Sequence, residues 1–438
     1  MKKFFALFLI VPVLMFCTPN NGANQEENKE QTPEGQTPEG GQEPEEDLYA
    51  KAEAEITEGA VVQATNPIAE KFVNEVTYPD KTYTEYTKVL DYYGGFNGKA
   101  YNSDGEEDPN GVILKWGNAH KWPNGDRPMR YSIRWTKDAL TEGSAMTLKM
   151  QDNKGWKGEM PIKADMCYVN FSCLVPGTQY TYTVTADDGG KVIKQGSFST
   201  KASSTLHQVF FTGTSENCRN GRDLGGWETA DHKHVKYHKL YRGGRMQSST
   251  INSTGKNEVL FEGIGAQLDL RNSDRLAKPA VSSLEFLAPG IEEGGQWMLK
   301  NGNSDGNFGK QCFEFIVKCL RENKPVYFHC SLGRDRTGTL DILLLGLLGV
   351  PEGQIGVAYE VTYFAPVGYS VSSSEQGSNP EPIFKNTRMA WAYSDVVPYF
   401  WELAGENGTF ADGVEKYLLD VAGVSQKDID DFRSMMLE

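Results

Sequence analysis

The stretch Pro325-Val-Tyr-Phe-His-Cys-Ser-Leu-Gly-Arg-Asp-Arg-Thr-Gly-Thr339 decides how the rest of the chain is read. Pro325 to Phe328 has the short apolar run of a buried strand, and Leu340 to Leu348 is nearly all Leu and Ile, as in a buried helix. Between them lies a tight polar loop with Cys330 at its start and Arg336 six residues on. A strand, loop and helix in this order make an anion site. Backbone N–H groups of Ser331, Leu332, Gly333, Arg334, Asp335 and Arg336 can converge on a phosphate, and the helix N-terminus adds positive potential. The same field lowers the pKa of a thiol, so Cys330 is the candidate nucleophile. Arg336 can grip two phosphate oxygens with its planar fork. Gly333 supplies backbone freedom for the curl, Thr337 brings a hydroxyl near the sulfur, and His329 is expected to orient the start of the loop.

A Cys and an Arg at this spacing arise often by chance. The fuller pattern His329-Cys330-x-x-Gly333-x-x-Arg336-Thr337-Gly338 between strand and helix is specific. It resembles the signature of the cysteine-dependent protein tyrosine phosphatases. Upstream, Asn217-Cys-Arg-Asn-Gly-Arg-Asp-Leu-Gly-Gly226, Leu240-Tyr-Arg-Gly-Gly-Arg-Met246 and Gln267-Leu-Asp-Leu-Arg271 narrow the resemblance to the bacterial tyrosine phosphatase family with a His-Cys-x-x-Gly-Lys-Asp-Arg-Thr-Gly loop. Arg334 stands where that family has Lys, a planar donor in place of a point charge. The resemblance covers most of residues 206–365. It implies an α/β domain over 206–438, with a central sheet flanked by helices, and a phosphatase acting on phosphotyrosine through a cysteinyl-phosphate intermediate, without a cofactor. Inositol phosphates or phosphoinositides are the alternative substrates, and a catalytically silent phosphoryl-binding or adhesive surface protein is the alternative function.

Such a reaction needs an acid for the leaving oxygen. No Trp-Pro-Asp sequence is present. The resemblance implies Asp335, inside the loop, as that acid. Asp269, at the end of an Ile264-to-Leu270 strand pattern, is the second candidate, with a salt bridge to Arg271 as the competing reading. Asp305 on a polar loop is a distant third. Arg222 and Asp223 read as architectural. Arg242, Arg245 and Arg271 are candidates for adding positive potential around the pocket, with surface solvation as the ordinary reading. The Ser- and Gly-rich segment 364–388 reads as a long loop, a lid only if it packs over Cys330.

Residues 112–200 carry another pattern. Val112–Trp116, Tyr131–Trp135, Met146–Met150, Leu174–Val184 and Gly196–Thr200 have the short alternating runs of half-buried strands. Their order, and the Leu174-Val-Pro-Gly-Thr-Gln-Tyr180 turn, resemble a fibronectin type III or immunoglobulin-like sandwich. An all-β domain is therefore expected over 49–203. A short helix is expected at Ala69–Glu75, and Tyr83, Tyr86, Tyr92 and Tyr93 are read as packed aromatics.

The N-terminus is of a third kind. Lys2 and Lys3 precede an apolar run from Phe4 to Phe16, too short to span a bilayer and suited to an export signal. The run ends at Cys17, and residues 1–17 resemble a bacterial lipoprotein signal with Leu14 three residues before the lipidated Cys. An ordinary cleaved signal is the alternative. Residues 18–48 hold nine acids against one lysine and nearly no apolar side chains, so they are expected to be a disordered acidic tether. An exported protein, lipid-anchored to the bacterial outer membrane, follows as the expectation.

The formal net charge is −15 over 438 residues, and about half of it lies in that tether. An acidic balance argues against a nucleic-acid partner, which needs a basic surface. Apart from Cys17 and Cys330, five cysteines remain. Cys312 and Cys319 are seven apart on one helical face, too distant to bridge, and read as core. Cys167 and Cys173 flank a turn, so a disulfide there is open. No His, Cys, Asp and Glu stand at metal-ligand spacing.

Overall fold

This computed structural model describes residues 55–81, 128–136, 144–213, 220–248, 251–364 and 391–438. The expectations for Cys17, the signal and the tether lie outside those residues. So do Tyr83, Tyr86, Tyr92, Tyr93, the strand at Val112–Trp116, Asn217 and nearly all of 364–388. Every described residue belongs to one compact unit, Glu53–Glu438.

The first half contains β1 (Ala60–Val62), α1 (Pro67–Glu75), β2 (Tyr131–Arg134), β3 (Met146–Asp152), β4 (Lys157–Ile162), β5 (Tyr168–Phe171), β6 (Gln179–Ala186) and β7 (Val192–Thr200). β1, β7, β6, β3 and β4 form one sheet in that order, and β2 and β5 pair separately. β3, β4 and β6 alternate strictly between buried and outward residues along most of their length. That period of two is what a sheet with one wet face requires. The inward residues share one core: Ile133, Leu148, Met150, Tyr180, Tyr182, Val184 and Phe198. α1 does not join it. Its Ala69 and Phe72 pack into the core of the second half, and the Tyr78 hydroxyl donates to Glu360.

The second half contains β8 (Arg222–Asp223), β9 (Leu240–Gly243), α2 (Ser253–Phe261), β10 (Ala266–Asp269), β11 (Glu285–Leu287), α3 (Gly295–Lys300), β12 (Gly302–Asn303), β13 (Gly306–Asn307), α4 (Phe308–Arg321), β14 (Val326–His329), α5 (Asp335–Leu347), α6 (Glu352–Glu360), α7 (Trp391–Ala404), α8 (Phe410–Lys416) and α9 (Gln426–Met436). The sheet order is β11-β10-β14-β9-β8, parallel except at β8. β9, β10 and β14 are buried at every position, as strands covered on both faces must be. The expected α/β class is therefore found. α5 is buried along almost its whole length and packs against α6, α7 and α8. That position explains its all-round apolar sequence.

Register sets the place of the site. Asp269 lies opposite His329, and His329 opposite Gly243, so three parallel strands end in one row. Open parallel sheets bind ligands beyond such carboxyl ends. Cys330 is the next residue out of the middle strand.

The two halves meet directly. β4 packs against α2, and Phe261 of α2 enters the core of the first half. Trp156, in the β3–β4 turn, donates Nε1–H to the Glu262 carbonyl at 3.0 Å. The disulfide left open between Cys167 and Cys173 is not made. Both thiols are free, and Cys173 Sγ accepts from the Phe210 N–H at 3.3 Å.

Candidate active site

The loop from Cys330 to Arg336 is shaped from outside by what its carbonyl groups touch. The Cys330 carbonyl accepts from His329 Nδ1 at 3.2 Å, and the Ser331 carbonyl from the Arg245 N–H at 3.2 Å. Asn220 Nδ2 donates to the Leu332 carbonyl at 3.4 Å and to the Gly333 carbonyl at 2.9 Å. Arg242 Nη2 adds a second donor to Gly333 at 2.7 Å. The Arg334 carbonyl accepts from the Gly338 N–H at 2.8 Å, and the Asp335 carbonyl from Thr339 Oγ1 at 3.0 Å. Six successive carbonyls are thus engaged, those of Ser331, Leu332 and Gly333 from other elements, those of Arg334 and Asp335 by the first turn of α5, and that of Cys330 by His329. A trans peptide points its N–H opposite its C=O, and no cis bond occurs among the described residues. That leaves the amides of Ser331 to Arg336 to face the inside of the curl.

Gly333 is required for that curl. Its φ is +71°, and a Cβ there would stand 2.4 Å from the Gly243 carbonyl carbon. Left-handed backbone and close approach both exclude a side chain. Gly294 backs the loop from the other side, where a Cβ would come within 3.0 Å of the Arg336 nitrogen.

Cys330 is buried at the base of the loop. Burial pushes its thiol up, but the Arg336 charge and the Thr337 hydroxyl and N–H outweigh this and hold it below the ordinary thiol value. Thr337 Oγ1 is buried without a hydrogen bond of normal geometry, and its hydroxyl acts on the Cys330 sulfur by lowering the thiol's pKa. Arg336 is half-buried, with Nη1 on the Ile291 carbonyl at 2.9 Å. α5 begins at Asp335, so its N-terminal amides face the same space.

His329 is fully buried, and burial lowers its pKa to about 4. It is neutral at pH 7. Gln267 Nε2 donates to its Nε2 at 2.8 Å, which places the proton on Nδ1 and makes Nδ1 the donor to Cys330. Gln267 is held in turn by the Met246 carbonyl and the Ala280 N–H.

The carboxylates separate clearly. Asp269 is not an available acid. It is fully buried, and Arg271 Nε and Nη2 grip both oxygens at 2.9 and 2.8 Å, with backbone N–H groups of Arg271 and Leu276 added. Burial pushes its carboxyl up, yet the Arg271 hydrogen bonds and the neighbouring charges win and hold it low. The salt bridge that competed with the acid reading is the one found. Asp305 lies exposed in the β12–β13 turn. Asp335 is on the loop itself, with its two oxygens paired to Arg334 Nε and Nη2 at 2.9 and 3.1 Å.

Several partners of the loop differ from expectation. Arg242 and Arg271 are fully buried, not solvated. Arg242 pairs with Asp341 of α5. Arg222 and Asp223 are architectural, with Arg222 Nη2 on the Ala358 carbonyl at 2.7 Å. Asn220 stands in the Asn217–Gly226 motif with no role assigned by the sequence; its left-handed φ of 58° carries the amide under the loop. Linear spacing also concealed a cluster of His207, His238 and Glu262, whose ligand atoms lie within 4.8 Å of one another.

The arrangement offers a thiolate beneath a ring of inward amides, with one arginine at the rim. It is complementary to a tetrahedral oxyanion presented in line with sulfur.

Comparison with known proteins agrees. The chain is 26% identical over 162 residues to a Cupriavidus necator protein assigned as a tyrosine-protein phosphatase, covering 32% of this chain and 59% of that one. It is 36% identical over 84 residues to a tyrosine-protein phosphatase of Nostoc commune, covering 19% of this chain and 26% of the relative. The chain thus spans under two thirds of either relative. Among solved structures it is similar to the human tyrosine phosphatase-like serine/threonine/tyrosine-interacting protein (15% identity, TM-score 0.22, 30% of this chain and 83% of that one). It is also similar to P. aeruginosa TpbA in complex with phosphotyrosine (13% identity, TM-score 0.20, 33% and 89%). Likenesses that slight add no argument. The tyrosine phosphatase family pattern matches residues 214–438, half of the chain, and the chain belongs to that family.

Proposed function

We propose that this protein is a phosphomonoester hydrolase of the tyrosine phosphatase type, acting on phosphotyrosine through a cysteinyl-phosphate intermediate. The observation that carries the reading is the outward anchoring of all six loop carbonyls above a thiol of lowered pKa. In the first step the Cys330 sulfur attacks phosphorus in line, the S–P bond forms and the bond to the leaving oxygen breaks. Ring amides and Arg336 take up the charge on the three equatorial oxygens. Asp335 gives the leaving oxygen its proton, once a substrate draws its carboxyl away from Arg334. In the second step a water attacks phosphorus, its proton returns to Asp335, and the S–P bond breaks to release inorganic phosphate and the thiolate.

A panel of phosphotyrosine peptides, phosphoserine peptides, inositol phosphates and phosphoinositides tests this reading. Phosphotyrosine is expected to be turned over best, and Cys330→Ser to reduce turnover to background while phosphate binding persists. Full activity in Cys330→Ser would end the mechanism, and inactivity of the parent chain on the whole panel would favour a silent binding module. Asp335→Asn should slow alkyl phosphates more than aryl phosphates with good leaving groups.

Two further readings belong to the same proposal. The first half is a fibronectin type III-like sandwich. Its sheet order supports this, as does the Tyr180 hydroxyl accepting from the Val175 N–H at 2.9 Å, a contact known from the tyrosine corner. Residues 1–48 export the protein and tether it through lipid on Cys17 to the outer membrane. Labelling with an alkyne fatty acid, lost in Cys17→Ser, tests the anchor.

A further inference from the structure

We propose that His207, His238 and Glu262 form a site for one divalent ion of the zinc class, at the seam between the two halves of the compact unit. The residues come from separate places. His207 lies beyond β7, His238 stands just before β9, and Glu262 caps the end of α2. His238 Nδ1 lies 3.1 Å from Glu262 Oε1, and His207 Nε2 lies 3.5 Å from the same oxygen. The Tyr241 hydroxyl closes another side, 3.0 Å from both His238 Nδ1 and Glu262 Oε1. A tetrahedral ion with bonds of about 2.0–2.1 Å has ligand–ligand edges of roughly 3.3 Å. The two edges that meet at Glu262 Oε1 have that size, and the three ligand atoms all lie within 4.8 Å of one another.

The hydrogen-bond accounting asks for a cation. His207 is wholly buried, and its Nδ1 contacts Asp223 Oδ2 at 3.1 Å. With the Nδ1 proton given to Asp223, Nε2 is left facing a Glu262 oxygen at 3.5 Å without a hydrogen bond of normal geometry; a positive charge is called for there, supplied either by a second imidazole proton or by a metal ion. A carboxylate behind a histidine, with an acceptor nitrogen in front, is the outer shell usual around bound zinc. Asp223 serves both histidines, since the same Oδ2 also accepts the His238 N–H at 2.6 Å. His238 is held in left-handed backbone, φ 59°, a conformation that a β-carbon makes costly. Trp156 from the first half stacks on its ring with centroids 5.2 Å apart. Two imidazoles favour a zinc-class ion over magnesium or calcium. A surface groove lined by Asp152, Trp156, Lys236, Tyr237 and His238 reaches the cluster at His238. Bound there, it would tie α2 and the strand segments of the second half beneath the β3–β4 turn of the first.

The test uses the full chain carrying Cys330→Ser, which removes the thiolate as a competing ligand. It is stripped with chelator and titrated with Co2+ and then Zn2+. We expect one equivalent of Co2+ with the visible bands of tetrahedral coordination, displaced by Zn2+, and X-ray absorption at the zinc edge that counts two imidazoles and no sulfur. His207→Gln or Glu262→Gln should abolish the bands, and Asp223→Asn should weaken binding at least about tenfold. The zinc-edge count on the parent chain decides the matter even where a variant does not fold. Failure to bind either ion at micromolar concentration would overturn the proposal. So would sulfur among the ligands, or equal binding in folded His207→Gln and Glu262→Gln. The cluster would then be a buried network of imidazoles and carboxylates. None of these readouts depends on phosphatase turnover.

Discussion

Removing Asp341 should damage the protein through Arg242. Both side chains are 1% exposed, and Arg242 Nη1 donates to Asp341 while Nη2 holds the Gly333 carbonyl. Asp341→Ala leaves a buried guanidinium without its counter-charge. Losing one partner of such a pair costs about 3–5 kcal/mol, a large share of the roughly 5–15 kcal/mol that holds a folded chain. Replacing both residues, Arg242→Met with Asp341→Leu, removes the charge altogether, and stability should return to near the parent value. Activity should not return. Gly333 then keeps only the Asn220 donor, and loss of one charge-assisted hydrogen bond, about 1.5–3 kcal/mol, lets the amide ring relax. A fall in kcat/KM of about tenfold or more follows if that energy is spent on aligning the ring. Urea unfolding gives the stability of each variant, and hydrolysis of an aryl phosphate gives kcat/KM. The reasoning fails if Asp341→Ala unfolds within about 1 kcal/mol of the parent, or if the double variant is both stable and fully active.

Gly333→Ala should cost at least about 1–2 kcal/mol from left-handed backbone alone, and nearly all activity besides, because its β-carbon meets the Gly243 carbonyl; urea unfolding and phosphate titration read the two losses separately. Thr337→Val should shift the pH profile of Cys330 alkylation by iodoacetate to higher pH, slowing it on the acid limb by roughly tenfold, with little change in stability, since the hydroxyl has no other oxygen or nitrogen partner. His329 gives a pH-dependent loss of stability. The unfolded imidazole takes a proton near 6.5 and the folded one only at about 4, so the unfolded state holds more protons between those values. Stability should therefore fall as the pH drops from 6.5 toward 4, by roughly 3 kcal/mol from this group, and His329→Gln should flatten that part of the curve.

The sequence was most legible where local pattern and tertiary role coincide. Val326 to Phe328 is apolar because both faces of β14 are covered, and β3 and β6 alternate because only one face is. The start of α5 was less legible. Asp335 to Thr339 is polar, so the helix seemed to begin at Leu340, whereas Thr337 and Thr339 are buried against the loop that they help hold. β4 was missed because Lys157-Gly-Glu-Met-Pro-Ile162 carries Gly and Pro, yet Gly158, Met160 and Ile162 face inward and Pro161 sits on an edge strand, which tolerates it. The buried arginines were misread for another reason. Arg242 finds its counter-charge 99 residues away, and no local spacing announces such a pair. His207, His238 and Glu262 are concealed in the same way: each is ordinary in its own segment.

An acidic chain that binds an anion must do so by contact rather than by long-range field. The net charge is −15, and much of the buried positive charge is already matched, Arg242 by Asp341, Arg271 by Asp269 and Arg334 by Asp335. Arg336 differs within the loop, since its Nη1 donates to the Ile291 carbonyl and not to a carboxylate. Attraction at Cys330 therefore comes from Arg336, the inward amides and the α5 N-terminus, all acting over a few ångströms. The net charge of the chain opposes a phosphorylated substrate at long range. Salt with a Debye length of about 8 Å at physiological strength screens that distant repulsion far more than the contacts in the loop. KM for a phosphotyrosine peptide without basic residues should stay level or fall as sodium chloride is raised, whereas a site fed by a basic surface shows KM climbing. A KM that rises several-fold over that range would mean that positive potential from outside the loop draws the substrate in, and the contact argument would be wrong.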